Sequence, residues 1–377
     1  ISTKKDGSIG FTGLNAWQTL GVTAYAGEEL VIYVGSNTGK TGDNASLQLI
    51  ATQYNAEYGQ VASKPISLKI GRNEIMIPEL VTFDAEHGGA LYVQYTGSST
   101  STQYSVRFSG GVEIPRLDLY QVENPEDRLA LVTDYVQTLE SYVGTLEATH
   151  SQLHSEHEYN PQECVLNTTD VQLDQMLYSV PATQLLAGLS GNAEEKAAQL
   201  LDSLDAMDQM MILFYQHKGL TDLAGAGNAN ALPAQHLNIR YMRMFAGAFM
   251  YAAGNHIGIG WDSVTGLAQG QTVELNEDGS YRSGNFFGWG IAHEIGHNIN
   301  QNVYAVAEVT NNYFSQISQA SEGVRFSYEA VYDKVTSGTQ GASSNVFTQL
   351  AMYWQLPLAY DTGYEYEIYD SYDQLFQ

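Results

Sequence analysis

The chain is poor in cysteine, in basic residues and in long apolar runs, and each scarcity excludes something. Of its 377 residues only Cys164 is a cysteine, so no disulfide can form within the chain. That mildly favours a reducing compartment and argues only weakly against secretion. Taken by itself, Cys164 reads as a small buried hydrophobe at a strand edge. Sixteen basic residues face 42 acidic ones, for a formal charge of −26. Such a surface repels nucleic acid and anionic membranes, which excludes both as primary partners. No run of about 18 apolar residues occurs, so no membrane-spanning helix is expected. The opening residues, Ile1 to Phe11, lack the apolar stretch of a signal peptide and read as the start of a processed or cut chain. What is present, 44% hydrophobic residues with the acid well dispersed, describes a folded, soluble chain of two or three domains.

Three regions differ in pattern. Residues 1–112 hold short segments rich in β-branched and aromatic residues, such as "ELVIYVGSN" and "ALYVQYTG", separated by Gly, Asn, Asp and Ser. Their spacing predicts a β-sandwich of about seven strands. The period then changes. Leu129, Val132, Val136, Leu139, Val143 and Leu146 recur at helical spacing, behind Asn124 as N-cap and Pro125 in the first turn. A second helix is expected from Ala193 to Gln216. "QECVLNTT" gives a weak strand signal, and the apolar stretch from Ile239 to Gly260 is ambiguous between strand and helix. Helical patterns dominate from Phe287 to Ala320 and again after Ser344. The expected class is therefore α+β: a sandwich, a mixed α/β domain over 113–340, and the start of a helical part over 341–377.

The chemistry lies in "GWGIAHEIGHNINQ". On a helix, His293 and His297 lie one turn apart on one face and can direct ring nitrogens at a single ion. Imidazole suits Zn²⁺. Glu294, one position round, is placed to take a proton from a water on the ion and deliver it to a leaving amine, the arrangement of metal-assisted peptide hydrolysis. A catalytic zinc needs a third protein ligand and one open position. Glu308, Glu322, Glu329 and Asp333 are the downstream candidates. Glu308 is preferred, because a helix carrying Val309, Tyr313 and Ile317 at helical spacing could fold back beside the first through a turn near Gln301–Tyr304. His150, His154 and His157 form a second histidine-rich stretch. No acid directly follows His150, and the segment reads as a solvated helix end.

With Gly288-Trp289-Gly290 leading into His293-Glu294-Ile295-Gly296-His297, and ten residues before Glu308 in "EVTNN", the chain resembles the enhancin-type, mucin-directed zinc metallopeptidases, metallopeptidase family sixty. The resemblance implies a zincin-like catalytic domain behind a β-sandwich. It implies one Zn²⁺ on His293, His297 and Glu308, with Glu294 as general base. It also implies an extracellular or cell-surface protein of a host-associated bacterium that cuts O-glycosylated, mucin-like glycoproteins. "AGAFMYAAGNHIGI" occupies the place of a family segment beside the cleft, Met-His-small-Gly-Tyr-Pro. Here Tyr251 replaces that histidine and Asn255-His256 the Tyr-Pro pair, which touches substrate preference rather than zinc chemistry. Trp289, Tyr251, Gly254 and Asn255 are the expected substrate contacts. Mucin glycans are often anionic, so an acidic chain would need a local basic spot. Arg240, Arg243 and Arg282 flank the site in sequence, although structural ion pairing is their commoner use. A zinc peptidase of general specificity and a glycan-binding module without catalysis are the competing readings.

Overall fold

The computed structural model describes residues 13–53, 60–80, 86–221, 230–244, 249–254, 256–272, 274–275, 281–283, 286–300 and 306–318. Asn255, Glu322, Glu329, Asp333, the side chain of Arg282 and the whole of 341–377 lie outside the described residues.

Eight strands come first: β1 (Gln18–Tyr25), β2 (Glu29–Ser36), β3 (Asn44–Ala51), β4 (Ile66–Lys69), β5 (Gly71–Met76), β6 (Gly88–Tyr95), β7 (Tyr104–Ser109) and β8 (Val112–Glu113). They form two antiparallel sheets, in the orders β4-β3-β6-β1-β8 and β5-β2-β7. The period of two along a strand sends alternate side chains to one face. Leu30, Ile32 and Val34 of the smaller sheet therefore share an apolar core with Val22, Leu47, Leu49 and Leu91 of the larger.

Next comes a six-stranded mixed sheet, in the order β13-β14-β12-β11-β10-β9. Its strands are β9 (Arg116–Asp118), β10 (Thr169–Gln172), β11 (Met176–Val180), β12 (Leu237–Tyr241), β13 (Met250–Ala252) and β14 (Ile257–Ile259). The ambiguous stretch from Ile239 to Gly260 thus holds strands. Strands β10, β11 and β12 are buried throughout, on both faces, so they lack the alternation of a half-exposed strand. One face packs on helices α1 (Pro125–Leu153) and α3 (Ala193–His217), through Val132, Val136, Leu139, Leu204, Met207 and Phe214. Leu177 packs the other way, onto Trp17, Ile50 and Tyr92 of the front sheets.

Both long helices begin where their caps dictate. The Asn124 side chain accepts from the N–H groups of Glu126 and Asp127, with Pro125 in the first turn. Asn192 and Glu195 form a reciprocal capping box. Leu129, expected on the apolar face of α1, is instead 44% exposed. "QECVLNTT" makes no strand before Thr169, and Cys164 is buried in the turn after Pro161 rather than at a strand edge. A short helix α2 (Ala182–Ala187) and a 3-10 helix (Trp261–Ala268) carry the chain over the sheet, and a two-stranded ribbon, β15 (Glu274–Leu275) with β16 (Tyr281–Ser283), follows. Helices α4 (Trp289–Ile299) and α5 (Asn312–Ser318) close the described fold. Among the described residues no helix is long and apolar enough to cross a membrane.

A buried polar network joins the front sheets to the mixed sheet. Thr19 Oγ1 and Tyr92 OH donate to Asp170 at 2.5 and 2.9 Å, and Arg240 Nη2 donates to Thr52 Oγ1 at 2.8 Å. Burial raises the Asp170 carboxyl, while its hydrogen bonds and the Arg240 charge pull it back. Arg240 is fully buried and Arg243 pairs with Glu163 at 2.5 Å, so neither presents a free cation to a glycan.

Candidate metal centre

Helix α4 carries the histidine pair, and the residues around it are set by close packing. Gly288, at φ +79°, turns the chain into the helix in a conformation that suits glycine. Gly296 is required for another reason. A Cβ there would lie 2.4 Å from the Asn311 carbonyl oxygen, so only glycine lets the turn at 306–311 rest against α4. Ser315 Oγ donates to the Trp289 carbonyl at 3.1 Å, tying α5 to the start of α4.

The turn delivers Glu308. Val309 and Thr310 N–H groups both donate to the Val306 carbonyl, and Glu308 sits at φ +63°. Glu308 is therefore on a tight turn, not on the helix expected there; α5 begins only at Asn312. The spacing of Val309, Tyr313 and Ile317 could not separate these cases, since a turn leading into a helix buries the same three positions. The consequence for the carboxylate is the same. Its oxygens lie 3.1 Å from His293 Nε2 and 3.3 Å from His297 Nε2. The two imidazole centroids are 4.9 Å apart, with the planes at 82°. Atoms of His293, Glu294 and His297 able to ligate a metal all lie within 4.8 Å of one another.

Two asparagines complete the cluster. His293 Nδ1 donates to Asn312 Oδ1 at 2.5 Å, and Asn312 Nδ2 donates to the Glu308 carbonyl at 2.6 Å. Asn311 Nδ2 is 3.2 Å from His293 Nε2 and 3.1 Å from His297 Nε2. Neither asparagine was assigned a role from sequence. The signal for Asn312 was its position four residues after Glu308.

Burial pushes the Glu294 carboxyl up to about 7; the Glu308 charge adds to the rise, while His293 and a hydrogen bond from the Ala252 backbone oppose it. Burial also lowers His297, against the pull of Glu308. The Ala252 bond places edge strand β13 alongside Glu294. Tyr251 of that strand shares a hydrogen bond with His256 Nε2 at 2.9 Å, and burial, aided by the Arg240 charge, depresses His256 to about 3. Gly254 is exposed at the β13–β14 turn and Trp289 is half-buried at the head of α4. The donor set, two imidazoles and a carboxylate converging with a second carboxylate beside them, suits a divalent metal ion.

The histidine-rich stretch at the end of α1 behaves differently from a solvated end. His150 is fully buried against Glu86, while His154 stacks on Tyr25 with ring centroids 3.7 Å apart.

No model of a known protein family matches the chain, and neither does any curated protein sequence. Solved structures do match. The chain is similar to the catalytic module of the metalloprotease ZmpA from Clostridium perfringens, at 22% identity and a TM-score of 0.65, over 93% of this chain and 63% of that one. It is similar to the ZmpB metallopeptidase of the same organism, at 22% identity and a TM-score of 0.66, over 94% of this chain and 64% of that one. It is also similar to the M60 catalytic domain of ZmpC, solved in complex with the sialyl T antigen, at 22% identity and a TM-score of 0.63, over 93% and 64%. The chain thus spans 63–64% of the length of these three structures. At this level of identity the likeness establishes architecture: the chain has the α+β fold of the M60, enhancin-like metallopeptidase catalytic modules.

Proposed function

We propose that this chain is the catalytic part of a zinc-dependent endopeptidase that cuts O-glycosylated, mucin-type glycoproteins outside the cell or at a bacterial surface. The observation that carries the reading is the convergence of the Glu308 carboxylate on His293 Nε2 and His297 Nε2 at 3.1 and 3.3 Å, with Glu294 beside them. His293, His297 and Glu308 would hold the ion. Bound zinc would supply Lewis acidity toward the scissile carbonyl and lower the pKa of a nearby water.

The protein's own part is to position groups and to move a proton. Asn312 holds His293 with Nδ1 as donor, which leaves the Nε2 lone pair on the side of Glu308, where it would serve a metal. Glu294, beside the histidine pair, is placed to accept a proton from the attacking water and return it to the leaving amine. Strand β13 lies at the edge of the mixed sheet alongside Glu294, and an extended peptide would run past it there.

The glycoprotein preference rests on the likeness to ZmpC, whose structure holds the sialyl T antigen. With Arg240 buried and Arg243 paired, we assign sugar contacts to the half-buried face of Trp289 and to the exposed turn at Gly254. We assign residues 1–112 to a β-sandwich that braces the catalytic domain at 113–340, and 341–377 to the start of a helical part.

Mass spectrometry of an O-glycosylated mucin fragment after incubation with the chain tests the reading, with Glu294→Ala as control and unglycosylated casein as second substrate. Cleavage beside glycosylated Ser or Thr, lost in the control and absent on casein, is expected. Casein cleavage would transfer the reading to a general peptidase. A zinc-loaded protein that cuts neither would transfer it to a binding module.

A further inference from the structure

We propose that Glu86, His150 and Cys164 form a second metal centre, a structural Zn²⁺ site buried between the front sheets and the mixed sheet. Glu86 lies just ahead of β6, His150 in the last turn of α1, and Cys164 in the turn that precedes β10. They are 2%, 0% and 1% exposed. A carboxylate oxygen, a ring nitrogen and the Sγ atom all lie within 4.8 Å of one another, a separation that one ion can bridge.

The surroundings hold these groups in place. Glu86 Oε2 accepts from Tyr25 OH at 2.8 Å and from the Val165 N–H at 2.9 Å, which leaves Oε1 directed at His150 Nε2. The Tyr159 ring stands edge on to His150, with centroids 5.4 Å apart.

The donor chemistry selects the ion. A thiolate, an imidazole and a carboxylate suit Zn²⁺, whereas Mg²⁺ and Ca²⁺ take oxygen ligands. Binding displaces the thiol proton to solvent as the Zn–S bond forms, with no change of oxidation state. The three ligands come from the front sheets, from α1 and from the connection into the mixed sheet. The ion therefore fastens these elements together, and its binding free energy becomes folding free energy. This centre is independent of the peptidase reading.

Zinc content by plasma mass spectrometry tests it, on the full chain purified without chelator. About two zinc ions per chain are expected in the parent, about one each in His297→Ala and Cys164→Ala, and none in the double variant. Zinc that vanishes entirely in His297→Ala, or that is unchanged by Cys164→Ala in either background, overturns the proposal. Zinc kept in His297→Ala at the parent level and lost in Cys164→Ala supports this centre while sinking the catalytic one. Should Cys164→Ala fail to fold, cobalt(II) exchanged into His297→Ala gives a second readout. A thiolate-to-cobalt charge-transfer band in the near ultraviolet is expected, and a cobalt-loaded protein without it rejects the site.

Discussion

The imidazole of His293 is held from behind by Asn312: Nδ1–H donates to Oδ1 at 2.5 Å, while the other amide atom of Asn312 donates to the Glu308 carbonyl at 2.6 Å. One side chain thus orients His293 on α4 and pins the turn that carries Glu308. Such outer partners fix tautomer and ring orientation.

Asn312→Ala should accordingly weaken zinc binding by about 10–100-fold. Asn312→Asp, which keeps the acceptor for Nδ1–H, should retain most of the affinity. Competition against a chromophoric chelator measures both. Equal losses in the two variants would show that the side chain acts through packing alone.

Gly296 should be intolerant of any side chain. Its Cβ would meet the Asn311 carbonyl at 2.4 Å, whereas a Cβ at Gly266 meets nothing within 4 Å. Gly296→Ala should destabilise by about 1–3 kcal/mol through overpacking and should loosen zinc binding, because the turn that carries Glu308 must move. Gly266→Ala should leave both nearly unchanged. Urea denaturation with a zinc titration on each variant is the check.

The sequence made helices legible where local chemistry decides. Asn124 and Pro125 mark a helix start because capping is satisfied within a few residues of chain. Leu129 misleads because periodicity marks a face without saying how far the neighbouring layer extends over it. Ile239 and Ile257 resist assignment because strands covered on both faces lose the alternation that distinguishes them. The histidine pair was legible because both residues sit on one helix. The positive φ of Glu308 and the meeting of Glu86 with His150, 64 residues away, depend on tertiary packing that no local pattern encodes.

Arg240 should prove a stability residue rather than a glycan contact. It is fully buried, donates to Thr52 and lies with its guanidinium 5.2 Å from the Tyr92 ring centre. Arg240→Leu would leave Asp170 buried without a cation and should cost about 3–5 kcal/mol. The double variant with Asp170→Asn should recover part of that loss. If Arg240→Leu instead kept its stability and lost binding to sialylated glycopeptide, the residue would belong to the substrate site.

His236 sets a pH dependence whose sign follows from burial. It is 3% exposed, and desolvation lowers it to about 4, against an ordinary value near 6.5. Between those values the unfolded chain takes up a proton that the folded chain refuses, so stability rises with pH across the window. The contribution is complete above about 6.5 and is lost as pH falls toward about 4, at about 1.4 kcal/mol per pH unit. His236→Asn removes the titration. The stability difference between parent and variant should therefore shift against the parent by about 3 kcal/mol from pH 7 to pH 4. Denaturant unfolding of both proteins at several pH values measures it. The comparison isolates His236, because carboxyls raised by burial, such as Asp208 at about 7, titrate alike in both proteins. A constant difference across that range would mean that His236 is protonated in the folded protein or reached by solvent.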